Sequence, residues 1–152
     1  MASRGDDAVP RTIEQYRLLR ADSGTPVVDV LQVAASTWTR FLGLQFRRPL
    51  PPGHGLLIVP CSSIHTICVR FAIDVFFLSE EGIVEEVRRD VHPWRLVLPS
   101  RPAHAVLEMA AGSRDVEPGT AITIDPCGDT VPGELKFLTG EIDVSRLENE
   151  SC

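Results

Sequence analysis

The sequence predicts an α+β fold, mainly antiparallel β, built as a small rolled sheet or barrel-like domain with one or two short helices. Two observations predict this class. About seven short runs are rich in β-branched and aromatic residues, and turn residues separate them every ~8–12 positions. Few segments carry helical spacing. With 152 residues and 43% hydrophobic content, the chain can bury a core and favours a single domain.

Residues 1–25 are expected to form a flexible N-terminal extension that contains a short helix. The first eleven residues are polar and aspartate-rich. Thr12 is a plausible N-cap for the helix. The apolar residues that follow are spaced three apart, which favours one helical face: Ile13, Tyr16 and Leu19.

The compact β-rich domain is expected to span residues 26–125. Its first strand, over residues 27–34, is largely apolar on both faces, which is typical of an inner strand. Ser36 then caps a short helix that Gly43 interrupts. Further short strands are predicted at 56–59, 64–70, 73–78, 83–90, 97–98, 105–109 and 121–124. Residues 126–152 mix proline, glycine and acidic residues, and are expected to be a partly ordered tail.

Charge and composition exclude several classes of protein. Lys and Arg number 15 against 21 Asp and Glu, and the net charge of -6 disfavours a nucleic-acid partner. No run reaches the ~18 apolar residues of a membrane span, and the N-terminus lacks the apolar core of a secretory signal. We therefore expect a cytoplasmic protein, monomeric or weakly dimeric, with no membrane partner. The four cysteines form no C-x-x-C pair, so free thiols are expected, with neither a metal nor a cofactor.

The most informative stretch is PCSSIHTICVRFAIDVFFL at residues 60–78. It places Cys61, His65, Arg70 and Asp74 in an apolar, strand-forming run. Ionisable groups in such a run lower the stability of the fold unless they are paired or hydrogen-bonded, and they are otherwise kept for a function. The stretch is therefore the predicted location of a functional site.

Asp74 shares its predicted strand face with apolar residues and so needs a partner. Arg70, four residues earlier, is the nearest candidate, and a bend between the two strand segments would let them meet. The pair is either a structural salt bridge or part of an anion-recognising or proton-handling site.

Cys61 and His65 are four residues apart, so their relation depends on the local backbone. In a turn or helix they could chelate a metal or form a thiolate–imidazolium pair. On a strand they would lie ~13 Å apart. The alternative is a buried cysteine beside a hydrogen-bonded histidine.

Two residues outside the central run are further candidates. Trp94 lies in the loop sequence HPWR at residues 92–95, where it either marks a binding surface or plugs the open end of a small barrel. Glu108 lies between Leu107 and Met109 in an apolar strand, so it either faces outward or belongs to a ligand site.

Several blocks in order resemble the domain of unknown function 192 family. They are RFLGL at 40–44, PG-x-GLL at 52–57, the central run, GIV at 82–84, PWR at 93–95, VLE at 106–108 and AG at 111–112. The resemblance covers roughly residues 27–124. It implies a small, soluble, mostly β protein of the kind found in bacteria and archaea, with no established activity. Gln45 and Ala72 depart from the methionine and proline usual in that family.

The sequence favours a binding module for a small ligand or protein partner, in a groove near residues 61–74. The candidate ligand-binding residues are His65, Arg70, Asp74, Trp94 and Glu108. The first alternative is a metal-assisted or cysteine-dependent hydrolase whose catalytic candidates are Cys61, His65 and Asp74. The second is a structural protein without a small ligand. No nucleophile-elbow, zincin, P-loop or Rossmann motif is present.

Overall fold

The computed structural model describes residues 11–13, 16–126 and 131–140. The strands among these residues are β1 (Arg11–Ile13), β2 (Tyr16–Arg20), β3 (Pro26–Val28), β4 (Val30–Ala34), β5 (His54–Ile58), β6 (Ile64–His65), β7 (Ile73–Leu78), β8 (Val84–Val91), β9 (Leu96–Val97), β10 (Ala105–Ala110) and β11 (Ile122–Pro126). The helices are α1 (Thr37–Leu42) and a short 3₁₀ helix (Gly133–Leu138).

The strands form three sheets. A six-stranded sheet has the order β1-β4-β5-β10-β7-β8, a three-stranded sheet the order β11-β2-β3, and β6 pairs with β9. Every pairing is antiparallel except β4 with β5. The predicted fold class is confirmed, although the described strands do not close into a barrel.

The six-stranded sheet is buried on both faces. One core cluster, the first core, packs the sheet against the three-stranded sheet and the 3₁₀ helix. The other, the second core, lies on the opposite face under the segments that follow α1 and β5. Because neighbours in a strand point to opposite faces, β10 sends Leu107 and Met109 into the first core and Val106 into the second. Side chains on either face of β10 are therefore shielded from water.

The predicted helix after residue 36 is confirmed as α1. The Ser36 side chain accepts a hydrogen bond from the Thr39 amide, and the Thr39 hydroxyl accepts one from the Ser36 amide, which forms a capping box. The helix ends at Gly43, whose φ of 48° is costly for any residue with a Cβ. Its two aromatic residues, Trp38 and Phe41, remain 55% and 60% exposed, so they do not enter the core.

The helix predicted to begin at Thr12 is wrong, because β1 and β2 occupy this region. Tyr16 and Leu18 are buried while Arg17 between them is exposed, which is the two-residue period of a strand. Residues 1–10 lie outside the described residues. Of the predicted tail, residues 131–140 are described, and the 3₁₀ helix Gly133–Leu138 within them buries Leu135 and Leu138 in the first core.

The predicted strand over residues 64–70 is mostly wrong, because only β6 at its start is extended. The Val69 amide donates to the Thr66 carbonyl at 3.2 Å, and Cys68 has a φ of 60°, so the chain turns here. Alternation of side chains along this segment therefore does not apply. The strands predicted near β5, β7, β8, β9, β10 and β11 are confirmed. Within the described residues, no helix is both long and apolar enough to span a bilayer.

Candidate functional site

The carboxyl group of Glu108 lies at the centre of the six-stranded sheet, on the face of the second core. Its Cα partners are Leu56 on β5 and Val75 on β7. Glu108 is only 3% exposed. Its Oε2 lies 3.8 Å from the point where a Cβ on Gly43 would stand, so the end of α1 passes directly above the carboxyl group.

A pocket of about 360 Å³ opens above this carboxyl group. Its walls come from α1 with the two residues that follow it, from the end of β5, and from the segment that leads into β6. The lining residues are Arg40, Phe41, Leu42, Gly43, Leu44, Ile58, Pro60, Cys61, Ser62, Ser63, Ile64, His65 and Glu108. We call this the α1 pocket.

Four buried side-chain polar atoms in the described residues lack a hydrogen-bond partner: Arg40 Nε, Arg47 Nη1, His65 Nδ1 and Glu108 Oε2. Arg40, His65 and Glu108 all line the α1 pocket. Each unsatisfied buried group costs about 1–3 kcal/mol, and native proteins contain few of them. Their concentration around one pocket distinguishes it from the rest of the described structure.

The electrostatics of the pocket floor favour a neutral Glu108. Burial raises the pKa of the Glu108 carboxyl to about 8, although the nearby Arg47 guanidinium acts in the opposite direction. Burial also lowers the pKa of Arg47, whose Nη2 donates to Gln32 Oε1 at 2.6 Å. Arg40 Nη1 donates to the Pro60 carbonyl at 2.9 Å and leaves Nε free. The floor therefore carries guanidinium charge and, at neutral pH, a carboxylic acid.

Cys61 and His65 both line the α1 pocket, but no hydrogen bond between them is found in the described structure. The Cys61 thiol donates to the Ser63 carbonyl at 3.0 Å. Burial raises the pKa of this thiol, so it stays protonated at neutral pH. A nucleophilic cysteine needs the opposite shift, toward the thiolate.

Asp74 lies on the other face of the sheet. Its Cα partner Met109 belongs to the first core, so the Asp74 carboxylate and the Glu108 carboxyl point in opposite directions. Asp74 Oδ2 accepts hydrogen bonds from Arg89 Nη1 and the Gly112 amide, both at 3.0 Å, and Oδ1 accepts one from the Asp90 amide at 2.9 Å. This carboxylate is fully engaged in structural contacts.

The predicted pairing of Asp74 with Arg70 is therefore wrong. Arg70 is exposed, and no hydrogen bond or ion pair involving it is found among the described residues. The partner comes instead from Arg89 on the adjacent strand β8, because the turn at residues 66–69 takes Arg70 away from the sheet. The hydrolase arrangement fails for the same reason, since Asp74 cannot join Cys61 and His65. In the part of the chain described, no three His, Cys, Asp or Glu side chains are grouped to bind a metal.

Trp94 does not line the pocket and does not plug the sheet, because it is 68% exposed. Its loop is held by Thr66, which is fully buried. The Thr66 carbonyl accepts from the Trp94 amide at 3.0 Å, and its hydroxyl accepts from the Arg95 amide at 2.8 Å. The loop is thus anchored beside His65, which precedes Thr66 in the chain.

Seven large apolar side chains of the described residues are exposed, and one of them, Phe41, lines the α1 pocket. The seven are Trp38, Phe41, Phe46, Ile67, Trp94, Leu96 and Leu98, and we call them the apolar face. The two aromatic rings of α1 stack with centroids 6.0 Å apart. Phe41 packs edge-on to His65 at 6.1 Å, and His65 pairs with Leu96. The Phe46 amide donates to the Cys68 carbonyl, which joins the two loops.

Sequence reasoning missed three residues of the site: Gln32, Arg40 and Arg47. Arg40 and Arg47 belong to the densest basic segment of the sequence, but their distance from residue 108 along the chain gave no sign that they lie near Glu108. The outward-facing interpretation of Glu108 is wrong because the second core covers this face. The apolar Val106 could have indicated that this face is buried, since it lies two residues before Glu108 on the same face of the strand.

These features define a small, mainly β domain with a pocket that has polar groups at its floor, and with several exposed apolar side chains. The family model described as "Uncharacterized ACR", domain of unknown function 192, matches residues 19–124. The chain therefore belongs to this family, and no specific function is established for it.

Two archaeal relatives and two solved structures are similar to the chain. A UPF0127 protein of Pyrococcus furiosus is 31% identical over 100 residues, which cover 62% of this chain and 84% of the relative. A UPF0127 protein of Pyrococcus abyssi is 33% identical over 92 residues, which cover 57% of this chain and 75% of the relative.

Among solved structures, a candidate transcription regulator of Sinorhizobium meliloti 1021 superposes with a TM-score of 0.64 and 22% identity, over 75% of this chain and 94% of the other. A protein of unknown function from Novosphingobium aromaticivorans gives a TM-score of 0.61 and 18% identity, over 70% and 81%. At these identities the two structures show a shared fold.

Proposed function

We propose that the protein is a small-ligand binding module and that the α1 pocket is its binding site. The observation that carries the proposal is the set of unpartnered polar atoms on Arg40, His65 and Glu108 around one pocket. A ligand that hydrogen-bonds to these atoms removes the cost of leaving them unsatisfied, so its binding is favoured over that of water-excluding apolar compounds.

The size and composition of the pocket support the same proposal. A volume of about 360 Å³ lies within the range of small-molecule sites, roughly 300–1,000 Å³. Such sites combine apolar walls with a few fixed polar groups. Phe41, Ile58 and Ile64 supply the apolar walls here, and Arg40 and Glu108 supply fixed polar groups.

A fragment screen by ¹⁵N–¹H correlation spectroscopy tests the proposal. Fragments that bind should shift the amide signals of residues 40–44, 61–65 and 108 in preference to all others. Ser62→Trp should abolish these shifts, because Ser62 lines the pocket mouth and the indole would occupy it. Ser100→Trp is the matched control, since Ser100 is exposed and outside the lining. Hits that scatter over the surface, or an absence of hits, would favour a structural protein without a small ligand.

A protein partner is a second candidate, favoured by the apolar face. Exposed Arg48, Arg70 and Arg95 accompany this face on a chain of net charge -6, and no carboxylate among the described residues pairs with them. Charge complementarity therefore indicates a partner segment that presents acidic and apolar side chains together.

Both tryptophans of the chain belong to the apolar face, so fluorescence excited selectively at tryptophan reports on this face. A short peptide of Glu and Leu should shift the tryptophan emission to shorter wavelength, whereas a Lys and Leu peptide of equal length should not. The double variant Arg70→Glu, Arg95→Glu should reverse this preference. An equal response to both peptides would contradict a charge-selective surface.

We further propose a cytoplasmic protein that is monomeric or weakly dimeric. Net negative charge and free thiols at Cys61 and Cys68 support this assignment. A role in transcription is not included, because a net charge of -6 opposes DNA binding. Light scattering coupled to size-exclusion chromatography tests the oligomeric state, and a stable trimer or larger assembly would contradict it.

A further inference from the structure

The unpartnered polar atoms of the α1 pocket differ in whether they donate or accept hydrogen bonds. The guanidinium group of an arginine is a donor and has no acceptor, so the unpartnered Arg40 Nε can only donate. His65 Nδ1 donates or accepts according to its tautomer. Glu108 Oε2 donates when the carboxyl group is protonated and accepts when it is ionised. The one fixed requirement is therefore a ligand acceptor opposite Arg40.

The charge at the floor of the pocket further restricts which ligands can bind. Arg40 contributes a guanidinium group to the pocket, and Arg47 lies close enough to Glu108 to influence its titration. Burial raises the pKa of Glu108 to about 8, so this group is a neutral hydrogen-bond donor at pH 7. An amine would meet positive charge and no fixed carboxylate, whereas an anion would meet two donors and positive charge.

We propose that the α1 pocket binds small organic acids, with the ligand carboxylate between Arg40 and Glu108 and the apolar body against Phe41 and Ile58. This inference rests on the proposed function, since it specifies the ligand of the same pocket. One carboxylate oxygen accepts from Arg40 Nε–H and the other from the Glu108 O–H, which satisfies both unpartnered atoms at once.

Binding is then linked to the proton on Glu108. The charged and titratable groups that face this carboxyl group are Arg40 from α1, Arg47 from the following loop, and Cys61 and His65 from the segment around β6. The Cys61 thiol stays neutral because burial raises its pKa. Above pH 8 the free protein must take up a proton to bind the acid, so affinity should fall about tenfold per pH unit.

Three matched probes test the ligand class: phenylacetate, phenylacetamide and phenethylamine share a ring and a short chain and differ in head group. Titration by calorimetry and by amide shifts should give phenylacetate an affinity at least about tenfold above the amide. The amine should not bind. Arg40→Met should weaken phenylacetate by about tenfold or more, and Arg40→Lys should weaken it less. The exposed control Arg70→Met should change its affinity by less than about twofold.

The variant Glu108→Gln tests whether the pH dependence of ligand affinity comes from the proton on Glu108 or only from packing around this side chain. The amide keeps a donor and cannot titrate, so phenylacetate should still bind at pH 7, without the loss of affinity between pH 8 and 9. His65→Gln should leave this loss in place, which assigns it to Glu108.

Two outcomes would overturn the inference. If the amide or the amine shifts the pocket amides as strongly as the acid, the ligand class is wrong and the binding module remains. If no probe binds, the inference fails, and the fragment screen alone decides whether the pocket binds other molecules. A pH dependence that persists in Glu108→Gln would overturn the linkage.

Discussion

Two buried carboxyl groups on adjacent strands of the same sheet behave differently. Asp74 on β7 faces the first core and accepts three hydrogen bonds. Glu108 on β10 faces the second core, where its Oε2 has no partner and burial raises its pKa to about 8. Both groups are nearly inaccessible, at 2% and 3% exposure. The two groups are thus equally buried and differ in their hydrogen bonds. Asp74, whose oxygens are satisfied, is a structural group, whereas Glu108, with an unpartnered oxygen, is a candidate binding group.

Removing the charge of Asp74 should have the largest effect on stability. Asp74→Asn replaces an acceptor oxygen by a donor and leaves Arg89 with only backbone carbonyls and the distant Asp115. We expect a loss of about 3 kcal/mol in the free energy of unfolding, at the low end for a broken buried pair because the Arg89 side chain is 37% exposed. Urea denaturation measures it. A change below about 0.5 kcal/mol would mean that the two carboxyl groups do not differ as argued.

Glu108→Gln should stabilise the protein increasingly as the pH rises. The pKa of Glu108 is raised on folding, so between its unfolded value and about 8 the unfolded state releases a proton that the folded state keeps. Stability of the natural protein therefore falls with pH through this range. The difference in unfolding free energy between the variant and the natural protein should grow by about 2–3 kcal/mol from pH 5 to pH 7. A difference for Glu108→Gln that stays constant with pH would refute a neutral buried carboxyl group.

A smaller effect should follow from removing Arg47. Its guanidinium opposes the burial effect on Glu108, so Arg47→Met should raise the pKa of Glu108 above about 8. Carboxyl ¹³C chemical shifts measured against pH report this directly. Arg48→Met is a matched control, since Arg48 is exposed. An unchanged or lowered pKa in Arg47→Met would show that the two groups do not interact.

The smallest expected effect concerns Cys61. In a variant that keeps Cys61 as its sole cysteine, alkylation should rise with pH later than for a free thiol, because burial raises the pKa of this group. A variant that keeps only Cys68 provides the comparison. If Cys61 reacts faster at neutral pH than a free thiol, the result would support the alternative hypothesis of a cysteine-dependent enzyme.

The strands were largely predictable from the sequence, and the pairing of charged groups was not. The run at residues 73–78 predicted β7 correctly because every residue in it is apolar except Asp74. The partner Arg89 could not be identified, because it comes from a different strand and depends on the register of β7 and β8. Glu108 was misjudged since alternation along a strand indicates two faces but not whether a second layer covers the polar one.

The α1 pocket lies between an interior strand of the sheet, β10, and the short helix α1. β10 has a hydrogen-bonded neighbour on each side and a core on each face, whereas α1 has six residues and ends at a glycine. Amide hydrogens of β10 should therefore exchange with solvent only on global opening, and those of α1 much sooner. A molecule bound between α1 and Glu108 should therefore slow hydrogen exchange in this helix and leave exchange in β10 unchanged.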